Sequence, residues 1–262
     1  MGTILEELAA FAAERTANAK RKRPLFSVRA DAEQMPKGDD RFAKALAGED
    51  LAFICECKKA SPSKGLIAPD FPYLEIAKDY EKAGADCISV LTEPSRFLGD
   101  DRYLSEIASE VSLPCLRKDF TVDPYMIYEA KLLGASAVLL ICALLEKPRL
   151  QAYHEIADSL GLAVLVEAHD EREAETAAEI GARIIGVNNR NLRDFSVDTS
   201  RVQLLRRYVP EETLFVAESG MRTRRDIQAV QEAGADAVLI GETLMRAADK
   251  AAVLRALKGT EP

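Results

Sequence analysis

Three glutamates and two lysines stand at the ends of apolar runs. Glu56 and Lys58 lie in FICECKKASPSKG (53–65), Lys118 in LPCLRKDF (113–120), Glu167 in LAVLVEA (162–168) and Glu218 in TLFVAES (213–219). In an extended chain successive side chains alternate faces. Ile54, Glu56 and Lys58 then share one side, and Phe53, Cys55 and Cys57 share the other, with Lys59 on their side. Burying an unpaired charge is prohibitive, so charges aimed inward from such strands must pair or work. Close lysines lower each other's proton affinity, and carboxylates raise it. A lysine held below its ordinary pKa of about 10.4 could donate a proton near neutral pH. The expectation is general acid–base chemistry. A structural ion-pair network of Glu56, Lys58 and Lys118 is the alternative.

These residues need elements to aim them. One phrase recurs: KAGADCISVL (82–91), LLGASAVLLI (132–141), EIGARIIGVN (179–188) and EAGADAVLIG (232–241). Each reads as a helix end, a Gly in the left-handed C-cap conformation, and a strand buried on both faces. With LAFICECK (51–58), LPCLRKD (113–119), LAVLVEA and TLFVAES there are eight strand candidates, separated by amphipathic helices such as 74–83, 124–133, 171–180 and 223–233. Eight such units at a period of roughly 25 residues predict an α/β fold, a (β/α)8 TIM barrel with an N-terminal helical extension. An open doubly wound sheet would carry a Gly-rich turn after its first strand, where this chain has Lys-Lys-Ala-Ser-Pro.

Residues 1–50 form the extension, packed on a catalytic barrel at 51–262. Thr3 and Glu6 predict a capping box opening a helix with Ile4, Leu8 and Phe11 on one face. Residues 21–41 read mostly as loop, and 41–48 as a short helix.

Active sites of this fold form at the C-terminal strand ends. There the chain offers Glu56, Lys58 and Ser61; Leu91; Lys118 and Phe120; Glu167 and His169; Asn188 and Arg190; Glu218, Ser219 and Gly220; Gly241 and Glu242. The last two loops are the usual phosphate seat, where glycines let an anion approach the backbone. His169 reads as a loop residue before a helix capped by Asp170, and His154 as surface or packing. Arg21-Lys22-Arg23 reads as a solvated stretch, and Leu91, Phe97 and Leu139 as core. Cys55-x-Cys57 lacks a second pair at ligand spacing, so no metal is expected. The five cysteines read as buried free thiols in a reducing, cytoplasmic setting. No side-chain set resembles a hydrolase triad.

The 262 residues carry a formal charge of −8. That argues against nucleic-acid or anionic-membrane partners, but not against an anionic small molecule. No apolar run approaches the roughly 18 residues of a membrane span. The first 23 residues are acidic early and basic late, the reverse of a secretory leader.

The motifs ICECKKASPSKG, ISVLTEPSRFLGD, LPCLRKDF, VLVEAHDERE, IGVNNRNL, VAESGM and VLIGETLM, in this order across 51–246, resemble the indole-3-glycerol-phosphate synthases. The resemblance implies a carbon–carbon lyase of tryptophan biosynthesis, without cofactor or metal. It acts on an anthranilate-derived ribulose phosphate, 1-(2-carboxyphenylamino)-1-deoxyribulose 5-phosphate, by ring closure, decarboxylation and dehydration. By resemblance Lys118 is the general acid for ring closure. Lys58 binds the substrate carboxylate, and Glu167 removes a proton in dehydration. Glu56 tunes the lysines and Asn188 holds polar groups. Arg190, Ser61, Ser219, Gly220 and Gly241 match anion contacts, and Glu218 a contact to hydroxyls. Leu91, Phe97, Phe120, Leu139 and Leu192 match the apolar walls, which revises the core reading of three of them. Many members carry Ser where this chain has Glu242. A carboxylate repels phosphate, so Glu242 is expected to turn away and offer only its N–H; pointing inward, it would mean the phosphate site is misplaced. A monomer is expected, with a homodimer as the alternative. The competing readings are an isomerase or Schiff-base aldolase with Lys118 as nucleophile, and a non-catalytic phosphate-binding subunit.

Overall fold

The structure is a computed structural model that describes residues 3–190 and 196–260. Among these residues eight parallel strands close into a barrel. They are β1 (Ala52–Cys57), β2 (Cys87–Leu91), β3 (Cys115–Lys118), β4 (Ala137–Ile141), β5 (Ala163–Ala168), β6 (Ile184–Asn188), β7 (Leu214–Glu218) and β8 (Ala237–Ile240). Each strand pairs with its neighbour in the chain, and β8 returns to β1 with Cys55 opposite Ile240. The strands form inside the expected apolar runs, and helices Tyr73–Lys82, Pro124–Leu132, Glu171–Glu179 and Arg224–Glu232 fall where periodicity placed them. The recurring glycines 84, 134, 181 and 234 all have positive φ, from 76° to 86°, the backbone that ends each helix and turns into the next strand.

Alternation along the strands divides the core in two. Ile54, Leu116, Leu139, Leu165 and Val216 fill the barrel interior. Phe53, Cys55, Cys57, Val138, Val166 and Phe215 pack outward against the helices. The thiols of Cys55 and Cys57 therefore lie in apolar surroundings, where burial pushes their pKa up and opposes the thiolate a metal would need.

The N-terminal helices are α1 (Ile4–Lys22), α2 (Leu25–Gln34) and α3 (Arg41–Leu46). Helix α1 has the expected capping box between Thr3 and Glu6. Leu8 is buried, but Phe11, expected on the same face, is 42% exposed. Helix α2 corrects the reading of 21–41 as loop. Pro24 sits at its N-cap, where a missing N–H is harmless and the fixed φ suits a helix start. Val28 and Ala32 bury one face of α2 in the outer core, which also holds Tyr128 of helix Pro124–Leu132. Phe42 and Leu46 of α3 are fully buried and join the inner cluster. Arg15 fastens α1 across the mouth, with an ion pair to Asp119 at 2.7 Å and a bond to the Thr92 carbonyl at 3.2 Å.

Candidate active site

The inward positions at the C-terminal strand ends are Glu56, Lys118, Glu167, Asn188 and Glu218. Together with Lys58 they line one cavity of about 520 Å³. Strand register sets their level: Glu167 is opposite Gly186, and Asn188 opposite Glu218. Lys118 Nζ lies 3.0 Å from Glu167 Oε2 and 3.3 Å from Glu218 Oε2. Lys58 pairs with Glu56. Asn188 Nδ2 donates to Glu167 Oε1 at 3.3 Å, and the Asn188 side-chain oxygen accepts from the Arg190 N–H at 3.0 Å. Two glycines make the room. A Cβ at Gly186 would strike the Glu218 carboxylate, and one at Gly241 would strike Glu56 and Lys58. Gly241 thus serves the strand 1 ion pair, a reason beyond the anion contact that resemblance implies.

The electrostatics correct one expectation. Burial alone would depress the Lys118 ammonium. Glu167, Glu218 and Glu56 outweigh it, and hold Lys118 above its ordinary range rather than below. Burial likewise disfavours an ionised Glu167, yet Lys118 and His169 keep its pKa well below the usual carboxylate range. Glu218 goes the other way. Burial and the neighbouring Glu167 push it up to about 8 against the pull of Lys118. The site therefore holds one firmly ionised carboxylate and one that carries a proton at neutral pH.

One wall is apolar. Leu91, Leu139, Phe97 and Phe120 line it, with the two phenyl centroids 6.0 Å apart. Phe97 is placed by the Glu93 carboxylate, which accepts from the N–H groups of Ser95, Arg96 and Phe97 at 2.7, 2.8 and 3.0 Å. Ile4, Leu5 and Leu8 of α1 complete the wall. The opposite side is polar. Ser219 and Gly220 follow β7 with φ of 65° and 96°. A serine in the left-handed region is strained, and such residues gather at functional sites. Ser61, Arg190, Gly241 and Glu242 line the same side.

Glu242 departs from expectation. Its carboxylate does not leave the cavity. It lies 3.2 Å from Arg246, 3.6 Å from Lys64 and 3.7 Å from Arg190. Lys59 does not line the cavity, while Lys58 does, as strand alternation required. Leu192 lies outside the described residues.

Sequence reasoning missed the α1 wall, Lys64 and Arg246, because nothing in a linear reading says what a helix lies over. His169 is the expected loop residue before the helix capped by Asp170, and its ring sits between Glu167 and Glu173, contacts the sequence reading did not name. The signal was present: Asp170 at the N-cap with Glu173 three residues on bends a carboxylate back toward His169.

The family model described as indole-3-glycerol phosphate synthase matches residues 5–257. An indole-3-glycerol phosphate synthase of Ruminiclostridium cellulolyticum is 55% identical over 98% of this chain and 99% of its own length. One of Endomicrobium trichonymphae is 51% identical over 97% of this chain and 99% of its own. Among solved structures, a 3-hexulose-6-phosphate synthase superposes with a TM-score of 0.64 at 17% identity, covering 81% of this chain and 100% of that one. A tryptophan synthase complex from Pyrococcus furiosus gives 0.61 at 14% identity, over 80% of this chain and 98% of that one. These two likenesses speak for the barrel fold alone. The sequence matches run through the strand ends that build the cavity, and the chain belongs to the indole-3-glycerol phosphate synthase family.

Proposed function

We propose that this cavity closes the indole ring of 1-(2-carboxyphenylamino)-1-deoxyribulose 5-phosphate, giving indole-3-glycerol phosphate, CO2 and water. The observation that carries the reading is Lys118, a protonated amine between Glu167 and Glu218 at the meeting of an apolar and a polar wall. The anthranilate ring sits against Phe97, Phe120, Leu91 and Leu139. The phosphate sits toward Ser219, Gly220, Gly241 and Arg190, with Ser61 close by. Glu218 faces the hydroxyls.

Ring closure begins when the ring carbon bearing the carboxylate attacks the ribulose carbonyl. Its oxygen becomes an alkoxide, a stronger base than any amine. Lys118 can therefore give up its proton although its pKa is raised, and until then its charge stabilises the developing oxyanion. Loss of CO2 restores the aromatic ring. Loss of the hydroxyl as water, its extra proton given by Lys58 while Glu167 takes a proton from the adjacent substrate carbon, completes the indole. Lys58 first holds the carboxylate, beside Glu56, and then stands near the departing hydroxyl. Asn188 steadies Glu167. A Schiff-base role for Lys118 needs a neutral amine, which the ionised Glu167 beside it opposes. Residues 1–50 act in this reading as an extension that walls the barrel of 51–262, and the chain works as a cytoplasmic monomer.

The test is turnover. Purified protein with the carboxyphenylamino ribulose phosphate should develop indole fluorescence with no added metal. A folded protein without turnover would contradict the assignment.

A further inference from the structure

Both oxygens of Glu167 are held, and by different residues. Oε2 meets Lys118 at 3.0 Å. Oε1 meets Asn188 Nδ2 at 3.3 Å and His169 Nε2 at 3.2 Å. The His169 contact is an approach of charges rather than an aligned hydrogen bond, and Nε2 itself is buried. On the far side of the ring, His169 Nδ1 lies 3.1 Å from Glu173 Oε2. The same oxygen accepts the His169 backbone N–H at 2.8 Å. Glu173 is fixed in turn, because its N–H donates to the helix N-cap, Asp170, at 2.9 Å. Arg201 donates to the His169 carbonyl at 3.2 Å. His169 is not among the residues that line the cavity. Both ring nitrogens face carboxylate oxygens, and only the doubly protonated ring can serve both.

We propose that His169, anchored by Glu173, is a positioning residue for Glu167, fixing its carboxylate and supplying a second cation behind it. The need arises during the reaction. Once Lys118 has protonated the ribulose oxygen, Glu167 loses its nearest counter-charge in a site where burial disfavours an ionised carboxylate. Without another cation Glu167 would take up a proton and could not accept one later from substrate. His169 removes that conflict from outside the cavity. Burial opposes a charged ring, but Glu167 and Glu173 push His169 up to about 10. The groups that bear on this pair are Lys118 from β3, Glu218 from β7, Glu56 from β1, and Glu173 and Asp170 of the following helix. Arg201 bears on it through the carbonyl, and Cys142 through its thiol bond to the Glu173 carbonyl.

This inference rests on Glu167 as the proton acceptor, so E167Q, H169N and their double variant are measured together. H169N should lower kcat about tenfold, the equivalent of one pKa unit, with KM within about twofold. The acidic limb of its kcat profile should move to higher pH, because an unsupported Glu167 protonates more readily. The double variant should be no worse than E167Q, since His169 acts through that carboxylate. An inactive E167Q beside an H169N with unchanged kcat and an unmoved acidic limb overturns the inference and leaves the proposed function standing. A fully active E167Q overturns the underlying role of Glu167. Should H169N fail to fold, E173Q carries the test. It should lower kcat and raise the acidic limb in the same sense, and an E173Q profile identical to that of the parent overturns the proposal.

Discussion

Arg117 and Lys118 are neighbours on β3, each a cation beside three carboxyl groups, Arg117 buried and Lys118 partly buried. They point to opposite sides of the strand. Arg117 faces the helices and is 2% exposed. Its guanidinium reaches Asp101 at 2.7 Å, Glu129 at 2.8 Å, the Met126 carbonyl at 2.9 Å and Thr92 Oγ1 at 3.2 Å, with Asp119 at 3.8 Å. Those contacts tie β3 to the helices on either side of it and leave no space for a ligand. Lys118 faces the cavity. It has three N–H donors and two carboxylates within 3.3 Å, so a donor is left to aim at a ligand. The difference teaches how to tell a structural charge cluster from a chemical one. Both are paired, but only Lys118 has a donor to spare next to open volume. The alternative of a purely structural network fits Arg117 better than Lys118.

The contrast can be broken from either side. K118M should lower kcat by about 10²–10⁴-fold, the range for a general acid, with a smaller change in KM. R117M should leave turnover per folded molecule within a fewfold. It should cost about 1–3 kcal/mol in a denaturant titration, because it removes a buried donor from Thr92, Met126, Asp101 and Glu129. If R117M abolishes catalysis in folded protein, or K118M destabilises as much as R117M, the distinction fails. The next largest effect separates two adjacent lysines. K58A should lose about 10²-fold in kcat/KM, while K59A stays within about twofold, because Lys59 serves through its carbonyl, which accepts from Ile67 and Ala68. The reverse result would mean that β1 is a residue out of register.

A smaller effect concerns stability. Glu218 is raised to about 8 in the folded chain, so the native state binds a proton that the unfolded chain has lost. Its contribution is full below the ordinary carboxylate pKa and disappears as pH rises through about 8. E218Q cannot lose that proton. Its Tm should fall about 2–4 °C less than the parent's between roughly pH 5 and pH 9, read by circular dichroism. Parallel curves would place the proton elsewhere. The smallest effect is expected at the rim. E242Q removes a negative charge from beside Arg190, Lys64 and Arg246, and should lower KM for the phosphorylated substrate about two- to threefold. A rise in KM would show that the carboxylate orients those cations instead of competing for them.

Much of the barrel was legible because burial writes itself into strands. Apolar runs behind the repeated Gly-Ala fixed strand positions, and alternation assigned Glu56 and Lys58 to one side and Cys55 and Cys57 to the other. Helix α2 was hidden because Pro24 and the basic residues before it look like chain breakers, and only its packing partner on helix Pro124–Leu132 shows what Val28 and Ala32 bury. The contacts of His169 were hidden because its partners lie two residues back and four ahead, on the end of a strand and the first turn of a helix, and no single periodicity spans both.

The sequence by itself therefore determined the eight-strand barrel, the inward carboxylates and lysines, and the family. Local alternation and turn chemistry suffice for the barrel and the inward charges, and the ordered motifs carry the resemblance to the family. Only the tertiary structure decided protonation. The same residue type is firmly ionised at Glu167 and proton-bearing at Glu218, and Lys118 is raised where the sequence suggested a lysine held low. Those outcomes depend on which charges lie within a few ångströms after burial, and distance between strands is set by barrel closure, not by spacing along the chain.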